Sequence, residues 1–249
     1  MDLWQACGGA ERIRPIGGTL RRLVESQEEV ATSRLVGSLA RQAVLEAMLE
    51  TTKPALRPGT ERRHYLLAAP FRYPPLRHGS RFGTRGEPGI FYGALAVPTV
   101  LAEAAYYRLV FWRGMASPPP AAIVTQHTLY SARYRTERGV QLQRAPCDTH
   151  RIALAHPADY TATQAIGAAM RAAGVQAFEY ASARDPGGGV NVALFAPEAL
   201  ASRKPSALEP WLCETSGERV RFLARGGGGL HEFPATAFLV EGRLPQPAV

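Results

Sequence analysis

The sequence predicts an α+β (mixed α/β) chain whose strands are mostly antiparallel. Short β-branched and aromatic runs alternate with helical stretches. No regular βαβ repetition links them, and no repeat of about 20–50 residues runs through the 249 positions.

Taken in order, residues 1–22 are irregular, with Gly8-Gly9 and Gly17-Gly18. Leu20 to Thr51 reads as helix. Leu35, Leu39, Val44, Leu45, Met48 and Leu49 recur at steps near three and four, and Lys53-Pro54 ends the run. Residues 1–60 are therefore expected to form an N-terminal helical extension that either packs on the main domain or makes a dimer contact. Residues 61–249 form that domain. Tyr65-Leu66-Leu67 reads as a strand, Pro70 to Gly89 as a loop rich in Pro, Gly and Arg, and Ile90 to Gly93 as a strand. Thr99 to Phe111 is helical, with Thr99 as its cap and Leu101, Ala105 and Leu109 on one face. Beyond the Pro118-Pro119-Pro120 break, Ala122–Thr125, Gln141-Leu142 and Arg151–Leu154 read as strands, and Tyr160–Ala173 as a helix closed by Gly174. Phe178–Tyr180 and Val190–Phe195 are strands flanking the loop Ser182–Gly189. In the tail, Val220–Leu223 and Thr236–Val240 are strand-like, with a turn at Gly226–Gly229.

Charge sits in one place. The chain has 29 Lys+Arg against 21 Asp+Glu; residues 61–151 hold 13 of those bases and five of the acids, and the remainder is neutral. Only Lys53 and Lys204 are lysines, so the excess is arginine, whose planar fork suits phosphate and carboxylate. These arginines stand singly among aromatics and glycines. That pattern favours an anion pocket over a polybasic nucleic-acid tract, and no helix-turn-helix, zinc-finger spacing or basic helix is present. A nucleic-acid-binding module is thus the minor alternative from another class, and a catalytically silent interaction protein a third.

Cys7, Cys147 and Cys213 are far apart, which argues against a disulfide scaffold and for a reducing compartment. The six His lack zinc spacing, so no metal is expected. Residues 1–22 carry no apolar leader. The longest charge-free stretch, Gly114–Ala132, contains Pro118-Pro119-Pro120 and no membrane span. The expectation is a soluble, cytoplasmic protein without a membrane partner.

Two stretches stand apart from scaffold. Pro70 to Gly83 concentrates Arg72, Arg77, Arg81 and aromatics with few aliphatics, as a pocket for a planar, phosphorylated ligand would; structural ion pairs are the plainer alternative. His78 there reads as a surface or structural residue. Glu103 lies among Leu101, Ala102, Ala104 and Ala105. A carboxylate there is costly unless paired or used, or else it is an exposed helix-start residue. Gly187-Gly188-Gly189 is no phosphate loop, because a strand follows it; it reads as a tight turn or as a close approach to ligand.

Arg81-Phe82-Gly83, Gly89–Ala94, the helix with Glu103, Tyr180–Arg184 and Gly187–Phe195, in this order, resemble a RES domain, whose name records Arg, Glu and Ser positions. The resemblance covers about 65–200 and implies a fold similar to ADP-ribosyltransferases. It implies the toxin of a bacterial type II toxin–antitoxin system, consuming NAD+ by cleaving the nicotinamide–ribose bond through phosphorolysis or hydrolysis. Protein mono-ADP-ribosylation is the alternative within the family. NAD+ is then a substrate, not a bound cofactor, with inorganic phosphate an optional co-substrate. The implied partner is an Xre-like antitoxin that occludes the site, and a homo-oligomer is a further expectation. Arg81, Glu103 and Ser182 match the name-giving positions. Tyr92 matches the aromatic before the Glu helix, and Arg72 a second, earlier Arg. Glu103 would hold the ribose hydroxyls, Arg72 and Arg81 the phosphates, and Tyr92 the nicotinamide. Ser182 would bind ligand or orient Glu103; Asn191 is a further NAD-binding candidate, and Arg184 a weaker candidate of the same rank. Ser182 is not expected to act as a nucleophile, since no His–Asp pair is spaced to activate it.

Overall fold

The computed structural model describes residues 2–26, 37–73 and 79–246. Its elements are α1 (Leu3–Ala6), β1 (Arg14–Glu25), α2 (Leu39–Thr52), α3 (Tyr65–Arg72), β2 (Phe91–Ala94), α4 (Val97–Arg113), β3 (Ile123–Gln141), α5 (Arg151–Leu154), α6 (Thr161–Ala172), β4 (Ala177–Ala181), β5 (Val190–Leu194), β6 (Ser206–Thr215), β7 (Arg219–Ala224) and β8 (Leu230–Pro234). The strands form one eight-stranded sheet in the order β1-β2-β5-β4-β3-β6-β7-β8, mostly antiparallel, with β3–β4 the parallel pair. The expected α+β class is therefore the observed one.

The long β3 organises the sheet. One edge pairs with β1 from Arg14↔Gly139 to Glu25↔His127. The other edge pairs first with β6 and, at its far end, with β4. Because β1 also meets β2 at Arg21↔Ala94, strands β1, β2, β5, β4 and β3 close a ring, and β6–β8 extend from it as a meander. Strand alternation then divides the core. Ala177, Val192 and Leu194 face Leu20, Tyr134, Leu67 and Phe71 in one cluster. Phe178, Tyr180, Ala193 and Phe195 face Phe82, Ile166 and Met170 in another. Phe82 is fully buried, with ring centroids 4.7 Å from both Phe178 and Tyr180; burial of that size contributes about 2–3 kcal/mol.

The N-terminal segment differs from the helical extension expected over residues 1–60. Residues 14–25 are strand β1 of the main sheet, and α-helix among the described residues of this segment is confined to Leu3–Ala6 and Leu39–Thr52. Arg21 donates to Leu95 O and Arg22 to Tyr92 O (2.6 Å), which ties β1 to β2. Part of the expected helix, residues 27–36, lies outside the described residues. Cys147 Sγ donates to Cys7 O at 3.7 Å, so two cysteines far apart in sequence dock α1 beside the turn before α5. Other short readings also change. Tyr65–Leu67 begins helix α3, with His64 Nδ1 accepting from Leu66 N (3.3 Å). Arg151–Leu154 is helix α5, and Ala235–Phe238 is a 3-10 turn. Thr99 does not cap α4; that helix starts at Val97, with Pro98 in its first turn. The Gly226–Gly229 turn does join β7 to β8. No helix among the described residues is long and apolar enough to cross a membrane.

His127 on β3 lends the fold a pH dependence. The residue is 6% exposed, Nε2 shares a hydrogen bond with Thr125 (2.9 Å), and Nδ1 is buried without a hydrogen-bond partner among the described residues. Burial, helped by the Arg108 charge, pushes its pKa from 6.5 down to about 4. The unfolded chain binds this proton below pH 6.5 and the folded one does not. His127 should therefore cost stability as pH falls from 6.5 towards 4, by up to about 3 kcal/mol. Urea denaturation from pH 7 to 4.5 checks it: His127→Gln should flatten the slope in that window.

Candidate active site

Glu103 projects from α4, whose opposite face buries Leu101, Ala102, Ala105 and Leu109. Its Oε1 accepts two hydrogen bonds, from Ser182 Oγ (2.7 Å) and Asn191 Nδ2 (2.6 Å). Oε2 makes no hydrogen bond among the described residues. Ser182 lies just after β4 and Asn191 on β5, so the sheet supplies both donors. Each is 3% exposed.

Ser182 has no freedom in this arrangement. Its Oγ accepts from Arg184 N (3.1 Å) and Asp185 N (3.0 Å), so its one proton must go to Glu103. This makes it an orienting group. Asp185 fastens the loop to α4: Oδ2 accepts from Thr99 Oγ1 (2.8 Å), and Oδ1 accepts from Gly187 N (2.9 Å). Thr99 and Glu103 are one helical turn apart, so both anchors of the loop lie on one face of α4. The three glycines make the expected tight turn. Gly188 has φ +73, and a Cβ on Gly189 would lie 2.0 Å from Thr99 Oγ1 and 2.3 Å from Asp185 Oδ2.

Arg81 follows Ser80 in a turn closed by Ser80 N donating to Gly83 O (2.7 Å), with Phe82 as its apolar anchor. The guanidinium lies 4.6 Å from the Tyr160 ring centroid, and Nη1 donates to His156 O (2.8 Å). Tyr92 holds that turn: its hydroxyl accepts from Phe82 N (3.3 Å) and shares a hydrogen bond with Ser80 Oγ (2.9 Å). Burial pushes the Tyr92 phenol up to about 12, so it stays neutral near pH 7.

The structure thus groups Glu103, Ser182 and Asn191, with Arg81 and Tyr92 joined to each other beside them. Arg72 is not brought into this group. It sits on α3, which packs against Phe91, Val192 and Leu194, the sheet face opposite Asn191. Its Nη1 pairs with Glu50 (2.8 Å) and its Nε donates to Pro54 O (2.5 Å). The plainer ion-pair alternative is the one the geometry displays. Arg72→Gln should change turnover less than about threefold, against at least about tenfold for Arg81→Gln, in a steady-state assay. Arg77 and His78 lie outside the described residues.

Four tyrosines escaped sequence reasoning as site candidates: Tyr106, Tyr107, Tyr160 and Tyr180. Tyr106 and Tyr107 stand three and four positions after Glu103, a spacing that would have placed them near its face of the helix. Burial raises the pKa of Tyr180 well above 10, with the Glu103 charge adding to it, so this phenol near Glu103 stays neutral. Tyr160 backs Arg81, and Arg184 stacks on Tyr106 with its guanidinium 3.4 Å from the ring centroid. Among the described residues, no cluster of His, Cys, Asp and Glu is suited to hold a metal.

This is an α+β domain with a half-buried carboxylate oriented by a serine and an asparagine, beside an arginine on an aromatic turn. The RES domain family model matches residues 55–216, and the chain belongs to the RES domain family. A search of curated proteins finds no match. Among solved structures, the chain is similar to the M. tuberculosis MbcT-MbcA toxin-antitoxin complex. Identity is 12%, the alignment covers 87% of this chain and 93% of that one, and the TM-score is 0.49.

Proposed function

We propose that this chain is the toxin of a bacterial toxin–antitoxin pair and that it breaks the nicotinamide–ribose bond of NAD+. Membership in the RES domain family supports the class. The observation that carries the chemistry is the half-used carboxylate: Ser182 and Asn191 both occupy Oε1 of Glu103, which leaves Oε2 for a substrate.

In that reading Glu103 accepts hydrogen bonds from the ribose hydroxyls. As the C1′–N bond breaks, nicotinamide leaves with the bonding electron pair and becomes neutral. The ribose gains oxocarbenium character, which the fixed carboxylate stabilises electrostatically. Water then adds at C1′ and loses a proton to give ADP-ribose; phosphate adding there gives ADP-ribose 1″-phosphate. Arg81 binds a phosphate of the dinucleotide, and Tyr92 holds the Arg81 turn and offers its ring to nicotinamide. Ser182 and Asn191 orient the carboxylate. An Xre-like antitoxin is the proposed partner and the cytoplasm the proposed location.

Purified protein incubated with NAD+ tests this directly. Nicotinamide with ADP-ribose indicates hydrolysis, and phosphate-dependent ADP-ribose 1″-phosphate indicates phosphorolysis. Label passing to lysate proteins indicates mono-ADP-ribosylation. Absence of nicotinamide under all three conditions refutes the reading.

A further inference from the structure

A second guanidinium stands at the site without a carboxylate. Arg184, two residues after Ser182, is 5% exposed. Its plane lies on Tyr106, a ring that is itself fully buried, and Nη2 donates to Pro157 O. Arg81 is held in a parallel manner, stacked on Tyr160 with Nη1 on His156 O. Two guanidiniums are thus anchored on consecutive carbonyls of one turn, each backed by a tyrosine. Tyr106 stands three residues after Glu103 on α4, and Ser182 both donates to Glu103 and accepts from Arg184 N, so Arg184 and, through the shared turn, Arg81 lie in the neighbourhood of Glu103.

Neither arginine forms an ion pair among the described residues, whereas Arg72, Arg108, Arg171, Arg219 and Arg221 each do. A guanidinium withdrawn from water without a counter-charge is unfavourable unless an anion completes it. Each fork has five N–H groups, and the one carbonyl recorded for each consumes one of them. The remaining donors suit a tetrahedral oxyanion, which planar forks bind through paired hydrogen bonds.

We infer that Arg81 and Arg184 together form a phosphoryl-anion site beside Glu103, with Arg184 the second cation that sequence reasoning had sought in Arg72. The site's place in a reaction rests on the proposed NAD+ chemistry; its existence does not. Two sources share this ligand chemistry, the diphosphate of the dinucleotide and free inorganic phosphate.

Titration calorimetry on the full chain with ADP-ribose and, separately, with inorganic phosphate tests the site without requiring turnover. Arg184→Lys keeps the charge and much of the packing but removes the fork. It should weaken ADP-ribose binding at least about tenfold, while Arg133→Gln, an exposed surface change, leaves binding as in wild type. Weakened phosphate binding with ADP-ribose unaffected would assign the site to the free co-substrate. Wild-type affinity of a folded Arg184→Lys for both ligands, or wild-type protein that binds neither, overturns the proposal. If Arg184→Lys fails to fold, the side-chain Nε–Hε NMR signals of Arg81 and Arg184 in wild type decide: a shift of both on adding either ligand supports the site, and an unmoved Arg184 signal overturns it. Failure of nicotinamide release with intact ADP-ribose binding would instead refute the proposed reaction and leave the anion site standing.

Discussion

Glu103→Gln is expected to lower nicotinamide release about a thousandfold with little change in melting temperature. The substitution is nearly isosteric. The amide oxygen can still accept from Ser182 Oγ and Asn191 Nδ2, which now meet at Oε1 at 2.7 and 2.6 Å. What disappears is the negative charge facing the developing cation. Ground-state binding, carried by the arginines, should persist, so the loss belongs in kcat and not in KM. In a bacterial host the variant should also cease to inhibit growth at unchanged protein level. A folded variant with near wild-type turnover would remove Glu103 from the chemistry.

Gly189→Ala should have the second largest effect. The added methyl would stand 2.0 Å from Thr99 Oγ1 and 2.3 Å from Asp185 Oδ2, the two atoms that hydrogen-bond each other. Thr99 is 1% exposed and has no free space to turn into. The bond must open, and with it the tether that holds Ser182 against Glu103. The expected cost is about 1–3 kcal/mol of stability and about a hundredfold in turnover. Thr99→Ala in the same chain removes the colliding hydroxyl. With the hydroxyl gone, the Asp185 carboxylate is free to turn away from the methyl, so the double variant should regain part of the lost melting temperature but not activity, because the tether is still missing. Recovery of both would show that the tether has no part in placing Ser182.

Glu103 and Ser182 were marked by the resemblance to the RES domain, with Asn191 a weaker candidate, and the structure brings the three together from a helix, a strand end and the paired strand. Helix α4 was read from its face of Leu101, Ala105 and Leu109, and β5 from the run Val190–Phe195, apolar apart from Asn191. The ion pair of Arg72 was not legible because its partner Glu50 belongs to α2, distant in sequence, and composition alone does not reveal who neutralises an arginine. Strand β1 was missed for a related reason. Leu20, Leu23 and Val24 fit a helical step as well as a strand. The decisive fact is the pairing with β3, which lies beyond any local window. Three-residue apolar runs such as Tyr65–Leu67 carry no period at all, so the His64 cap and the packing of Leu67 and Phe71 decided for helix. Arg184 ranked only as a weaker candidate, because nothing in the sequence shows that its carbonyl anchor adjoins that of Arg81.

Closure of the strand ring by β1 bears on how the chain matures during synthesis. Leu20 leaves the ribosome early, yet it must wait for Ala132 before it has its strand partner on β3, and Arg21 must wait for Ala94. Pairings so distant in sequence are slow to form, since the loop entropy is spent before the contacts repay it. Glu103 emerges well before Ser182 and Asn191, so its carboxylate stays unoriented while the nascent chain is incomplete. Whatever activity this site has is withheld until translation has passed β5, which gives a co-expressed binding partner an interval in which to meet the chain before it can act.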